Sequence, residues 1–306
     1  MKAIFKGRWI HALQVLAISM LFVATGPASA IGVVYTNMYI FGDSLSDNGN
    51  FPAVGVPIPP PPYAPGRFSN GPVWVEYLAD DLGLTVSPSA SGGNNYAWGG
   101  AKTDGQPGTG FPPFDIGVQK DLFLFDQAGV ADANALYVVW AGGNDVFAGD
   151  ISNSADNIFN LISELSAAGA TKFLVPNLVE LSPLFAQLNS DVGAALDMAE
   201  NTLPIDLTRL DVNQLFSDIG SDTFSNGGLV YGITDLFTPC FDGTDVCADP
   251  DSFLTWDSVP HPTTRGHEII GDFAFATLTA VPLPAGVWLF ASGLGLLAGV
   301  RARQQR

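Results

Sequence analysis

The sequence predicts an α/β fold in which a parallel β-sheet is covered by helices on both faces. The first observation is the alternation of strand-like and helix-like segments across residues 31–280, which is the order that a parallel sheet needs. The second is a pair of continuous apolar runs, ALYVVWA at 135–141 and KFLVP at 172–176. Such runs are typical of strands buried on both faces, and Gly142 and Gly143 end the first one.

The elements of the first half follow in chain order. A short apolar strand, Tyr39–Phe41, ends at Gly42. The segment PIPPPPYAP at 57–65 predicts a polyproline-like loop, which is either a spacer or one wall of a substrate cleft. A helix is predicted over Pro72–Leu82, because proline suits the first helical position and apolar residues recur on one face.

The second half continues the alternation. Ser154 can cap a helix that runs to about Ala168. The mixture of polar and apolar residues from Ser190 to Ile219 predicts one or two helices, and Thr264–Leu278 predicts a closing helix.

Composition and charge exclude several classes of protein. The chain has 306 residues, of which 47% are hydrophobic and 14% charged, so it can bury a large core and is too apolar for a disordered chain. A formal charge of −18 repels phosphate backbones and argues against nucleic-acid partners. Two cysteines exclude a disulfide-dense scaffold and a four-cysteine zinc fold. No metal or other cofactor is expected, since the histidines and carboxylates show no usual ligand spacing.

The N-terminal end has the features of a secretory signal peptide. Residues 1–30 begin with basic side chains, continue with an apolar stretch at 12–24, and end in Ala28-Ser29-Ala30. We therefore expect signal peptidase to cut after Ala30 and residues 31–280 to form one exported domain. The alternative is an uncleaved membrane anchor.

The C-terminal end, residues 281–306, has three parts. VPLPA at 281–285 leads into an apolar run at 285–300, and three arginines follow. This tail resembles the PEP-CTERM sorting signals of Gram-negative bacteria, which implies removal by an exosortase-type enzyme and a secreted or cell-surface location. The alternative is a tail anchor through 285–300, whose 16 residues are slightly fewer than the roughly 20 of a relaxed membrane span.

Cys240 and Cys247 enclose six residues. In an oxidising compartment we expect them to form a disulfide. A loop this short contributes only about 2 kcal/mol through chain entropy, so the bond would be a local staple.

The first candidate catalytic residue is Ser44, in the segment Gly42-Asp43-Ser44 that follows a buried strand. Active sites of open α/β sheets form at the carboxyl ends of strands, and a serine there can act as a nucleophile if a base reaches it. Taken alone, the pattern favours a helix-capping serine.

The second candidate is His261. Only His261 and His267 lie within 31–280, and a serine hydrolase needs an imidazole base. Asp257 lies four residues before His261, and a turn between them would let the carboxylate fix the ring tautomer. His267 falls on the closing helix, where a core or surface role is expected.

Two further segments can supply hydrogen-bond donors. Asn144 follows the most apolar strand and can offer its side-chain amide to a developing oxyanion, although Gly-Gly-Asn-Asp is also ordinary turn chemistry. Gly100, in Tyr96-Ala97-Trp98-Gly99-Gly100-Ala101, can offer a backbone N–H with no side chain in the way.

Together these segments resemble the SGNH hydrolases, and specifically the GDSL esterase/lipase family. The blocks are GDSLSD at 42–47, PYAPGRFSNGPVW at 62–74, YAWGGA at 96–101, GGND at 142–145 and HPT at 261–263, and they follow the family's order. The resemblance implies a three-layer α/β/α sandwich of the flavodoxin-like kind and hydrolysis of carboxylic esters. It implies Ser44 as nucleophile, His261 as base and Asp257 as its orienting carboxylate, with Ser44, Gly100 and Asn144 as the oxyanion donors.

The chain departs from the family in one place. Asp and His are usually three residues apart, whereas Asp257 and His261 are four apart with Pro260 between them. We expect a bulge to absorb the extra residue, because Pro260 fixes its own φ and biases Val259 towards an extended conformation. Asp251 is the nearest upstream alternative to Asp257.

The expected function is therefore that of a secreted serine esterase or lipase with an acyl-enzyme on Ser44. Its substrate would be a lipid, a short acyl ester or an acetylated glycan. The alternatives are a carbohydrate acetylesterase that acts on extracellular polysaccharide and a non-catalytic surface binding protein on the same fold.

Overall fold

A parallel β-sheet forms the centre of the fold. The computed structural model describes residues 34–104 and 114–280. Within them, four strands pair in the order β1-β2-β3-β4, and every pair is parallel. The strands are β1 Met38–Gly42, β2 Leu136–Trp140, β3 Lys172–Pro176 and β4 Asp206–Leu210.

Eight α-helices are found in the described residues, most of them between successive strands. Two short 3₁₀ turns, Ser89–Ser91 and Pro250–Ser252, lie in loops. The helices are α1 Asn50–Ala53, α2 Trp74–Asp81, α3 Ile116–Asp126, α4 Gly143–Ala148, α5 Ser154–Ala168, α6 Pro183–Thr202, α7 Val212–Asn226 and α8 Thr264–Thr279.

The sheet separates two apolar layers. Alternate residues of one strand face opposite sides, so Tyr137 packs with α3, α5 and α6, whereas Val138 packs with α2, α7 and α8. Tyr39 and Met38 of β1 divide in the same way. The predicted three-layer α/β/α sandwich is therefore confirmed.

An extended segment, 94–98, runs parallel to β1 along its other edge. The N–H of Tyr96 donates to Ile40 O at 2.8 Å, and the N–H of Trp98 donates to Gly42 O at 3.1 Å. Along the sheet, the chain order is thus the flavodoxin-like 2-1-3-4-5. The chain passes from β1 to segment 94–98 on one side and then crosses to β2 on the other side. The direction of the connections therefore reverses at β1, and the carboxyl ends of β1 and β2 form the switch point where ligand sites occur.

Most sequence-predicted elements match the structure. The strand at 172–176 has the predicted bounds, the strand within 135–141 is β2, and the helix from Ser154 ends at Ala168. The one or two helices predicted for Ser190–Ile219 are present as parts of α6 and α7, but the prediction missed β4, which lies between them. At the edge of the described sheet, β4 keeps only Leu210 buried, and so it lacks the apolar run that marks the inner strands.

The predicted signal peptide, 1–30, and the predicted sorting segment, 281–306, lie outside the described residues and stay predictions. Among the residues that the structure does describe, none of the helices is long and apolar enough to cross a membrane.

Candidate active site

Ser44 lies immediately after β1, at the switch point of the sheet. The N–H groups of Ser46 and Asp47 both donate to Asp43 O at 3.0 Å, which forms a tight turn around Ser44. Gly42 is required just before it, because a Cβ there would lie 2.4 Å from the backbone oxygen of Trp140 in β2. The packing of β1 against β2 therefore fixes where the serine is presented.

The structure brings Ser44, His261 and Asp257 into one hydrogen-bonded chain. Ser44 Oγ lies 2.8 Å from His261 Nε2, and His261 Nδ1 lies 2.7 Å from Asp257 Oδ2. Asp257 is buried. Although burial alone raises the pKa of Asp257, the hydrogen bond and charge of His261 hold it below its usual value. This arrangement can hold a proton on Nδ1 and leave Nε2 free to accept one from Ser44.

The four-residue spacing between Asp257 and His261 is absorbed by a turn closed on the Asp257 carboxylate. Oδ1 accepts the N–H of Val259 at 2.9 Å and the N–H of His261 at 3.3 Å. The N–H of Trp256 donates to His261 O at 2.7 Å, which closes the base of the turn. Asp251, the alternative carboxylate, is exposed on the 3₁₀ turn Pro250–Ser252 and makes no hydrogen bond with His261.

Tyr63 is a further member of this network that the sequence did not reveal. Its hydroxyl donates to Asp257 Oδ2 at 2.7 Å, the same oxygen that contacts His261. Its ring packs edge-on against Phe241 and Trp256, with centroids 5.7 and 5.9 Å away. Burial and the neighbouring Asp257 raise the pKa of Tyr63, so it stays a donor. Its position in the proline-rich loop was the available signal, but nothing in the sequence pairs it with Asp257.

The disulfide braces the same network. Cys240 and Cys247 are bonded, with an S–S distance of 1.99 Å. The N–H of Phe241 donates to Trp256 O at 2.6 Å, and the two rings stack with centroids 5.7 Å apart. The loop closed by the disulfide therefore packs against Trp256, the residue that precedes Asp257.

The proline-rich loop at 57–65 does not line the cavity beside Ser44, so its contact with the site is made through Tyr63.

The predicted oxyanion donors lie on two loops and at the start of helix α4. Within the described residues, the N–H groups of Ser44 and Gly100 donate to no protein group. Asn144, in the first turn of α4, donates its amide to Ala101 O at 2.8 Å and to Asp43 Oδ2 at 3.3 Å. Asn144 thus ties the Gly100 loop to the Ser44 turn. Ser44 and Asn144 line the cavity described below, whereas Gly100 is exposed beside it.

Two buried carboxylates stabilise these loops. Asp47 accepts the N–H groups of Gly49, Asn50 and Gly99, each at 2.9 Å, and so joins the Ser44 turn to the loop that contains Gly100. Burial raises the pKa of Asp43 and of Asp47 to about 6, although the hydrogen bonds that each carboxylate accepts lower it.

His267 lies apart from this network, inside the core. It is fully buried on α8, and its Nδ1 accepts the N–H of Trp74 at 3.2 Å. Burial lowers the pKa of His267 to about 3, so the ring is neutral. It connects α8 to the start of α2.

A cavity of about 600 Å³ opens beside Ser44, Asn144 and His261. Most of its walls are apolar side chains, and no Lys or Arg of the described residues lines it. Its buried and half-buried apolar lining includes Trp140, Leu178, Phe185, Phe216, Leu236 and Leu254. The site therefore combines a serine–imidazole–carboxylate chain with an apolar binding space.

Comparison with known proteins agrees with this site. A family model described as GDSL-like Lipase/Acylhydrolase matches residues 38–274. Lipase 1 of Photorhabdus luminescens is 32% identical over 245 residues, which cover 71% of this chain and 34% of that protein. The phosphatidylcholine-sterol acyltransferase of Aeromonas hydrophila is 26% identical over 242 residues, covering 69% of this chain and 67% of that protein.

Among solved structures, a family 3 carbohydrate esterase of Clostridium thermocellum is similar, with a TM-score of 0.43 and 15% identity over 79% of this chain and 94% of that one. The chain spans about a third of the length of Lipase 1. Because the family model covers most of the chain, including every segment of the site, this protein belongs to the GDSL-like lipase/acylhydrolase family of carboxylic ester hydrolases.

Proposed function

We propose that this chain hydrolyses carboxylic esters through an acyl-enzyme on Ser44, with His261 as the base and Asp257 as its orienting carboxylate. The observation that carries the proposal is the continuous path from Ser44 Oγ through the imidazole to Asp257 Oδ2, with distances of 2.8 and 2.7 Å. These are the contacts that a triad needs in order to move one proton away from the attacking oxygen.

In the first half-reaction, Ser44 Oγ attacks the ester carbonyl carbon while its proton passes to His261 Nε2. The carbonyl oxygen becomes an oxyanion that receives hydrogen bonds from Ser44 N–H, Gly100 N–H and the Asn144 amide, which gives up its 3.3 Å contact with Asp43 Oδ2. The C–O bond to the alcohol breaks as His261 returns the proton to the leaving oxygen. Water then attacks the acyl-enzyme by the same steps and releases the acid.

The cavity supports an acyl ester or lipid as the substrate. Its walls are mainly aromatic and aliphatic, which suits a hydrocarbon chain better than the many hydroxyl groups of a sugar. The lipase and acyltransferase among the relatives agree with this choice. We therefore place an acyl ester ahead of an acetylated polysaccharide.

The disulfide also supports the proposal that the enzyme acts outside the cytoplasm, since such bonds persist in oxidising compartments. In that scheme residues 1–30 direct export, and 281–306 direct sorting or surface retention.

Replacement of Ser44 by Ala tests the function directly. Loss of a nucleophile costs several orders of magnitude in kcat, so Ser44→Ala should have no measurable activity on p-nitrophenyl esters of increasing chain length. Ser46→Ala is the matched control, because Ser46 lies in the same turn but contacts Trp74 rather than His261. A Ser44→Ala variant that keeps a normal circular dichroism spectrum and a tenth of the activity would refute the proposal.

A further inference from the structure

The mouth of the cavity is surrounded by exposed apolar side chains. We define the apolar rim as the cavity-lining residues that are more than half exposed: Phe147, Leu181, Phe224, Phe237 and Val259. Phe224 and Phe237 are the most exposed, at 74% and 78%, and their ring centroids lie 6.3 Å apart. Single exposed apolar residues are ordinary, but several around one opening mark a binding surface.

The rim comes from distant parts of the chain. Phe147 is in α4, Leu181 follows β3, Phe224 is in α7, and Phe237 and Val259 belong to the loops before α8. All five line the cavity whose inner end contains Ser44. A substrate that enters across the rim can therefore reach Ser44 within one mainly apolar cavity.

The net charge of the protein limits the kinds of surface that the apolar rim can bind. All 30 acidic residues but only six of the 12 basic ones lie within 31–280, which gives this part of the chain a formal charge of −24. Among the described residues, the carboxylates that line the cavity are those of Asp43 and Glu180. An anionic surface would be repelled, whereas a zwitterionic one would not.

We propose that the apolar rim inserts into the surface of a zwitterionic lipid bilayer and that ester substrates pass from the bilayer across the rim to Ser44. The proposal rests on the proposed function. A protein bound stably over the rim would close the route to Ser44, whereas a bilayer both covers the rim and supplies esters. The rim also has no Trp, Tyr or Arg, the residues that dominate protein–protein contacts.

The test places a fluorophore on the rim of the full chain. Both native cysteines are in the disulfide, so Phe237→Cys in a Ser44→Ala background gives one thiol for an environment-sensitive label and consumes no lipid. Phe125→Cys is the matched control, because Phe125 is 84% exposed on α3 but does not line the cavity. The label reports its own position, so contributions of the chain ends to vesicle binding are common to both proteins.

With phosphatidylcholine vesicles that contain nitroxide lipids, we expect quenching at position 237 to exceed that at 125 by about threefold or more, since only the rim enters the acyl region. Adding Phe224→Ser should weaken rim insertion about tenfold, the scale set by removing one buried phenyl group. Replacing phosphatidylcholine with phosphatidylglycerol at low salt should also weaken it.

Equal quenching at positions 237 and 125, or stronger insertion into the anionic vesicles, would overturn the inference. So would sedimentation data in which Phe224→Ser converts a dimer into a monomer, because the rim would then join two copies of the chain. Hydrolysis by the protein that keeps Ser44 is measured separately. Absent insertion with intact hydrolysis refutes this inference alone, whereas activity in Ser44→Ala refutes the proposed function.

Discussion

Replacing Tyr63 by Phe removes one hydroxyl and keeps the ring that packs against Phe241 and Trp256. The lost bond is the 2.7 Å contact with Asp257 Oδ2. Hydrogen bonds to charged groups contribute about 1.5–3 kcal/mol. If all of this energy stabilised the transition state, its loss would lower kcat/KM by roughly 10- to 100-fold. Asp257 keeps its two backbone donors, Val259 and His261, and we therefore expect about tenfold.

The pH profile adds a readout that simple loss of stability would not give. The Tyr63 hydrogen bond is one of the causes that lower the pKa of Asp257. Without that donor the carboxylate holds a proton more readily, so the loss of kcat/KM that follows protonation of Asp257 should begin at higher pH in Tyr63→Phe. Tyr77→Phe is the matched control, because the Tyr77 hydroxyl contacts Thr264 Oγ1 at 2.8 Å and is remote from Asp257.

A double-mutant cycle decides whether Tyr63 acts through Asp257. The assay is kcat/KM on one short-chain p-nitrophenyl ester for wild type, Tyr63→Phe, Asp257→Asn and the double variant. If the hydroxyl positions the carboxylate, Tyr63→Phe should cost about tenfold in the wild-type background and less than about twofold beside Asp257→Asn. The same loss in both backgrounds, or an unshifted acidic limb, would refute this reasoning.

Three other outcomes are expected. Asp257→Asn should lower kcat by about 10²- to 10⁴-fold, while the exposed Asp251→Asn stays within about twofold; the reverse pattern in an ester assay would displace Asp257 from the triad. Gly42→Ala should cost more than about 2 kcal/mol in urea unfolding, because its Cβ meets backbone at 2.4 Å, whereas Gly193→Ala, which meets nothing within 4 Å, should not destabilise the protein. Asp43 has a pKa raised to about 6, so the folded state binds its proton more tightly and loses stability as the pH rises from about 4 to 6. Asp43→Asn removes that loss, so the free energy of unfolding of the variant, relative to wild type, should rise by about 2 kcal/mol between pH 4.5 and pH 7. The same difference between the two proteins at both pH values would contradict a raised pKa of Asp43.

The strands that sequence alone could predict are those whose burial is nearly complete. β2 and β3 are inner strands, covered by helices on both faces, and this leaves a continuous apolar run in the sequence. β4 pairs on one side with β3 within the described sheet, and most of its side chains reach solvent. The segment 94–98 pairs with β1 through backbone groups, which no side-chain pattern records.

The candidate site divides in the same way. Ser44 and Asn144 follow predicted strands, so topology places them at the same edge of the sheet, whereas the resemblance to the family joins His261 to them. Tyr63 lies 194 residues from its partner Asp257, and the apolar rim collects residues from four parts of the chain. Contacts of this kind depend on how loops pack over the sheet, which periodicity and turn chemistry do not specify.

The four-residue spacing between Asp257 and His261 satisfies the backbone of the turn and also keeps the carboxylate in contact with the imidazole. The extra residue would add a backbone N–H that needs an acceptor, but Pro260 has none to satisfy. The N–H groups of Val259 and His261 both use Asp257 Oδ1, which leaves Oδ2 for the imidazole and for Tyr63. One oxygen thus shapes the turn while the other faces the ring. Because the two oxygens of one carboxylate have separate partners, the inserted residue changes the path of the backbone and keeps the 2.7 Å contact with His261.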